Sequence, residues 1–239
     1  MVESEAVALA HLGVQGGRFC WCPPPVVLVL SGPSGAGKDA IIKQFLREDP
    51  SFHFVVTATS RAPRPGEVDG VDYHFLAPDE FERLLAQGQF LEHAVVYGQH
   101  KGVPRWELER ALAAGRNVIM RVDVQGARTL RRVLEGAVYV FVLAESREEL
   151  MCRLEERGSD QEEAVARRSA EVGAELEALP EFDYLLLNRR GELSEAVRRL
   201  HCIVEAERWR INRPAPRICL PEQGGEPASA APKREEARQ

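Results

Sequence analysis

Several things are scarce in this chain, and each shortage excludes a class. No apolar run approaches the roughly 18 residues that a membrane span needs; Val26 to Leu30 is only strand-sized. Basic residues are not in excess: 31 Lys and Arg stand against 37 Asp and Glu, a net charge of −6. That balance points away from nucleic acid and from membrane surfaces. The five cysteines (Cys20, Cys22, Cys152, Cys202 and Cys219) are too scattered for a disulfide framework. No histidine follows Cys20 and Cys22 at metal-finger spacing, so free thiols in a reducing compartment are expected. The opening residues carry Glu3 and Glu5 and no basic cluster. They read as neither a secretory signal nor an organelle transit peptide.

What is present suits one folded unit. The chain has 239 residues, 44% hydrophobic and 28% charged, enough to bury a sizeable core. Residues 1–25 show weak periodicity and end in Pro23-Pro24-Pro25, which reads as a loose arm. Residues 213–239 are rich in Pro, Gly, Ala and charge, and that composition predicts a disordered tail.

Between these ends, short apolar runs alternate with helical patterns. VVLVL (26–30), HFVVTAT (53–59), NVIMRV (117–122), VYVFVL (138–143) and DYLLL (183–187) are strand candidates. Their continuous apolarity predicts burial on both faces. Helical spacing appears over 38–48, 104–114, 124–134, 146–156, 161–178 and 192–210. Such alternation predicts an α/β fold with a mainly parallel sheet flanked by helices. The turn-rich stretch 60–100 breaks the pattern and reads as an inserted subdomain.

One motif carries chemistry. Gly32-Pro33-Ser34-Gly35-Ala36-Gly37-Lys38 follows a strand candidate and opens a helix candidate. In that context the glycines let successive backbone N–H groups face one anion. The helix start adds its positive end, and Lys38 adds a point charge. Asp39 stands where such loops carry Ser or Thr as a magnesium ligand. Three roles remain open for it: a magnesium ligand, a charge that repels phosphate in the absence of metal, or a stabiliser of the helix start.

A second phosphate site is suggested by Arg61 and Arg64, three apart and flanked by prolines. Their guanidiniums suit a clamp on phosphate, and Tyr73 adds a phenolic donor. Glu92 could accept from N1–H and N2–H₂ of guanine. The histidines, among them His74, His93 and His100, read as packing or surface residues.

At GPSGAGK, TSRAPRPGEVDGVDYHF, FLEHAVVYGQHKG, VDVQGA and RLEERG…ARR the chain resembles guanylate kinases. The resemblance spans about 26–208 and includes a Lys38-Asp39 pair similar to that of plant organellar members. It implies a P-loop nucleoside monophosphate kinase-like fold with a GMP-binding subdomain over 60–100 and a mobile lid over 153–168. It implies magnesium-dependent transfer of the ATP γ-phosphoryl group to GMP or dGMP, with magnesium as cofactor. Gly32, Pro33, Ser34, Gly35, Ala36, Gly37, Lys38, Asp39 and Asn188 match ATP-side positions. Thr57, Arg61, Arg64, Glu67, Tyr73, Glu92, Lys101 and Asp123 match GMP-side positions. Arg153, Arg157 and Arg168 match lid arginines that, with Lys38, Arg61 and Arg64, form the implied catalytic set. Lys101 replaces a common Tyr, Val103 a Ser or Thr, and Arg121 an Asp. For Arg121 an ion pair with Asp123 is the favoured reading and a phosphate contact the other. A monomer acting on ATP and GMP, without nucleic acid or membrane, is expected. An intracellular location follows, the cytosol first, with plastid or mitochondrion as the alternative.

Overall fold

The structure, a computed structural model, describes residues 11–15, 17–96, 98–156 and 172–219. Two strands, β1 (Leu12–Gln15) and β2 (Arg18–Trp21), come first. The central unit begins with β3 (Val27–Ser31), helix α1 (Lys38–Glu48) and β4 (Phe52–Phe54). Then come β5 (Ala58–Thr59), β6 (His74–Phe75), α2 (Pro78–Ala86), β7 (Phe90–Val96) and β8 (Gln99–Pro104). Helix α3 (Arg105–Ala113), β9 (Asn117–Arg121), α4 (Val124–Val133), β10 (Leu134–Glu135) and β11 (Ala137–Ala144) follow. The last elements are α5 (Arg147–Glu156), β12 (Tyr184–Asn188), α6 (Leu193–Trp209) and β13 (Arg217–Ile218).

The main sheet has the order β12-β11-β3-β9-β4, and every pairing in it is parallel. β3 lies at its centre, and all five of its residues are buried. The two-residue period of a strand explains where each side chain goes. Val26, Leu28 and Leu30 pack with Ile41, Ile42 and Phe45 of α1 and with Val197 and Leu200 of α6. Val27 and Val29 face the other way, onto Leu108 of α3 and Leu130 of α4. Each such buried aliphatic side chain contributes about 1.5–3 kcal/mol. This two-sided cover is why the run can be apolar throughout. The expected strand at 53–59 is divided: β4 joins the main sheet, while β5 joins the second one.

The second sheet, in the order β6-β5-β8-β7, is built from residues 58–104. Phe81 of α2 is fully buried beneath it and stacks on Phe90 at 4.3 Å. Glu107 of α3 fastens this region to the main sheet. Only 2% exposed, it meets His53 Nε2 at 2.8 Å, accepts from Arg110 at 2.7 Å, and lies 3.5 Å from His74 Nε2. A carboxylate so buried needs such partners. His53 is therefore a tether, and His74 packs beside the same carboxylate.

Both chain ends depart from expectation. The arm at 1–25 carries the antiparallel hairpin β1–β2, with Gly17 at φ 78° in its turn. Trp21 Nε1 anchors it by donating to the Arg208 carbonyl at 2.7 Å. Of the expected tail, residues 213–219 belong to the fold; 220–239 lie outside the described residues. Arg213 is buried and donates to the carbonyls of Pro24 (2.6 Å), Pro25 (2.9 Å) and Glu207 (3.0 Å). β13 then pairs with β10. Among the described residues no helix is long and apolar enough to cross a membrane.

Candidate active site

The Gly-rich loop joins the end of central β3 to the start of α1, at the carboxyl edge of the sheet. Gly32 has φ 124°, and a Cβ there would lie 2.1 Å from the Val142 carbonyl oxygen. The loop therefore rests directly on the backbone of β11, a packing only glycine permits. Gly35 and Gly37 also have positive φ, 86° and 88°. Asn188, at the end of β12, donates from Nδ2 to the Ala36 carbonyl at 2.8 Å and holds the far side of the loop. Lys38 curls back so that Nζ donates to the carbonyls of Gly32 and, at 2.9 Å, Pro33. Burial brings its pKa down to about 8 against the pull of Glu175 and Asp39. It is still a cation at neutral pH.

Beside this loop lies a cavity of about 400 Å³. The loop lines one wall with Gly32, Ser34, Gly35, Gly37, Lys38 and Asp39. Thr57, Tyr73, Glu92, Lys101 and Val103 line the opposite wall, and Arg121 and Asp123 lie between. A second cavity, lined by Gly37, Glu149, Arg153 and Asn188 among others, opens on the far side of the loop. There Arg153 donates to Glu149 at 2.6 Å and to the Asn188 carbonyl at 3.1 Å. Arg157 and Arg168 lie outside the described residues.

The acceptor-side residues are tied together. Arg61 makes a two-point bond to Glu67, at 2.6 and 2.7 Å, and lies 4.9 Å from the Tyr73 ring centre. Glu67 also accepts the Arg64 backbone N–H at 2.7 Å. The Arg61 bond, with that second donor, holds the Glu67 carboxyl down at about 2. The Arg64 side chain is exposed, and neither it, Arg61 nor Glu67 reaches the lining of the main cavity. Lys101 Nζ is 6.0 Å from the Tyr73 ring centre.

Glu92 differs from its neighbours. Burial, and then the negative charge of Asp123, push its carboxyl up to about 7. Asp123 is also the N-cap of α4 and accepts from the Gly126 N–H at 2.7 Å.

The ion pair favoured for Arg121 is present, but its partner is not Asp123. Arg121 bonds Asp39 at the start of α1, with Asp123 committed to its own helix end. Spacing along one chain suggested Asp123; the parallel neighbour β3 brings Asp39 instead, because Arg121 pairs in register with Leu30. Ala94 and Glu175 also line the cavity, and nothing in their local sequence marks them.

Comparison with known proteins agrees with this geometry. The guanylate kinase family profile matches residues 25–207. Guanylate kinase 2, chloroplastic/mitochondrial, of Oryza sativa subsp. japonica is 43% identical over 192 residues, 80% of this chain and 67% of that protein. The guanylate kinase of Alkalilimnicola ehrlichii is 44% identical over 193 residues, 81% of this chain and 94% of that one. The crystal structure of guanylate kinase from Anaplasma phagocytophilum superposes with a TM-score of 0.64 at 31% identity, over 80% of this chain and 90% of that chain. A profile match over most of the folded chain, and relatives above 40% identity across four-fifths of it, place the chain in the guanylate kinase family.

Proposed function

We propose that the chain transfers the γ-phosphoryl group of ATP to GMP, giving ADP and GDP. The observation that carries this is a single cavity whose two walls do two jobs. One wall is the glycine loop with its partly buried lysine; the other presents Tyr73, Lys101 and the Glu92 carboxyl. Phosphoryl transfer asks the protein mainly for positioning and charge. Lys38 and the loop N–H groups hold the donor phosphates. Arg61 and Arg64 draw the acceptor phosphate, with Glu67 keeping Arg61 extended until it arrives. Arg153, with Arg157 and Arg168, closes over the donor and excludes water. One chain supplies both walls, so a monomer suffices. An intracellular site of action, the cytosol first and a plastid or mitochondrion second, fits the two nucleotides it uses.

Magnesium fits the donor set. Asp39 offers a hard carboxylate in the first turn of α1, paired with Arg121 and with its side chain 56% exposed. Among the described residues no cluster of three or more His, Cys, Asp or Glu could hold a metal by itself. A single carboxylate is enough where substrate phosphates complete the shell, the common arrangement for magnesium. When bound, the ion neutralises phosphate oxygens. Replacing Asp39 by serine is expected to shift the magnesium concentration that half-saturates turnover at fixed ATP. An unchanged magnesium profile would leave Asp39 to the helix start and to its pair with Arg121.

The decisive assay is ADP release with GMP, dGMP, AMP and UMP compared side by side. Turnover should require GMP or dGMP, and a folded protein inert toward both would sink the reading.

Glu92 adds a pH signature. Its pKa is raised to about 7 by burial and then by Asp123, so before guanine binds the neutral acid predominates below that value. Guanine presents two donors and needs the carboxylate, so binding releases a proton. GMP affinity should therefore weaken as pH falls, by about tenfold between pH 8 and pH 6. Calorimetric titration of wild type against Glu92→Gln checks this, because the phosphate of GMP titrates equally in both. Parallel profiles would remove Glu92 from base recognition.

A further inference from the structure

Three cations line the main cavity among the described residues: Lys38, Lys101 and Arg121. Lys38 belongs to the donor loop and Lys101 to the acceptor sheet. Arg121 rises from the end of β9 between them and bonds Asp39, 82 residues away in sequence. On its other side the Tyr73 hydroxyl also supports its charge, and the same hydroxyl supports Arg61. Through Asp39, Arg121 is joined to the loop that holds the donor, and it shares with Arg61, which lies outside the cavity lining, the neighbour Tyr73, whose ring centre is 4.9 Å from the Arg61 guanidinium.

We propose that Arg121 is a catalytic residue, whose guanidinium contacts the phosphoryl group between donor and acceptor and is held beside the donor loop by Asp39. This rests on the kinase reading above. Its backbone is fixed, because Arg121 pairs with Leu30 of the central strand. Its side chain is 30% exposed and that of Asp39 56% exposed. The Asp39 carboxylate is the more open partner, and a pair with one side in water is held less firmly than a buried one, so incoming phosphate oxygens can take the place of the carboxylate. The planar fork of donors suits a phosphoryl group better than a point charge does. In the step itself, the bond from the γ-phosphorus to the β–γ bridging oxygen breaks, and its electron pair leaves with ADP. A bond from a GMP phosphate oxygen to the same phosphorus forms. Arg121 makes no covalent bond and gives up no proton; it offsets charge that is spread over the oxygens in flight.

The test compares Arg121→Gln and Arg121→Lys with wild type. Three readouts are needed: kcat, calorimetric Kd for ATP and for GMP separately, and Kd for a bisubstrate analogue joining adenosine to guanosine through five phosphates. Arg121→Gln is expected to lower kcat by about 10²–10³-fold. Each single nucleotide should still bind within about threefold of wild type, while the analogue loses about tenfold or more. Arg121→Lys should recover part of kcat, and it carries the test if the glutamine variant does not fold. An unchanged kcat, or a loss confined to the binding of one nucleotide, would overturn the assignment and leave the pair as a brace for α1. The two readings fail separately. A wild type that transfers nothing to GMP defeats the kinase reading, whereas an active wild type with an equally active Arg121→Gln defeats only the role of Arg121.

Discussion

Replacing Lys38 by methionine is expected to lower kcat by about 10³-fold, near the upper end for removal of one preorganised donor. The ammonium is partly buried and bonded to carbonyls of its own loop. Those carbonyls hold a charge that burial would otherwise disfavour, and they aim it along the loop. ATP phosphates then replace a neutral partner with an anionic one, and the interaction strengthens because water is scarce there. Methionine keeps the length and the apolar stem but removes the charge. Binding of GMP should stay within about twofold, since the hydrogen bonds of Lys38 run to its own loop and not to the acceptor-side residues. ADP release and calorimetry on the same preparation check both halves. A variant with more than a tenth of wild-type kcat would take Lys38 out of the transfer step.

Replacing Gly32 by alanine should act first on stability. The new Cβ would meet the Val142 carbonyl oxygen at 2.1 Å, with the carbonyl carbon at 3.1 Å and the amide nitrogen at 3.2 Å. All three are backbone atoms, and Val142 pairs with Leu186 inside the main sheet, so the sheet cannot give locally. The backbone, at φ 124°, adds strain of its own. Strain and overpacking together amount to about 4 kcal/mol. For a domain of this size that is a drop in melting temperature of about 8–16 °C. Gly115→Ala is the control: φ is also positive, 66°, but nothing lies within 4 Å of the added atom. It should cost only about 1–2 kcal/mol. Equal losses in the two variants would show that backbone strain, and not contact with Val142, sets the requirement at Gly32.

Much of this site is legible in the chain because it is local. VVLVL followed by GPSGAGKDAII specifies strand, anion loop and helix within seventeen residues, and the structure places them so. What is illegible depends on which strands become neighbours. Asp39 finds Arg121 only because β9 lies beside β3, and no spacing along the sequence encodes that choice. The anchoring of residues 213–219 is hidden for a similar reason. Arg213 sits in a proline-rich stretch that reads as disordered, and its partners, Pro24 and Pro25, belong to the other end of the chain. Glu107 shows the limit of composition. A charged residue in the first turn of an exposed-looking helix proves to be a buried tether, because His53 and His74 arrive from two different sheets.

The central position of β3 has a consequence for synthesis. The donor loop is made within the first forty residues, yet its seat is made much later. Val142, on which Gly32 rests, and Asn188, which holds Ala36, emerge more than a hundred residues afterwards. At about 5–20 residues per second the ribosome needs roughly 7–30 seconds to pass from the loop to Asn188. In the first part of that interval, until β9 (Asn117–Arg121) and then β11 (Ala137–Ala144) are made, the nascent chain carries an apolar strand with neither of its neighbours to pair against. ATP cannot help this chain fold until nearly all of the main sheet has left the ribosome. Until β9 and β11 arrive, protection of VVLVL falls to whatever else binds unpaired apolar strands.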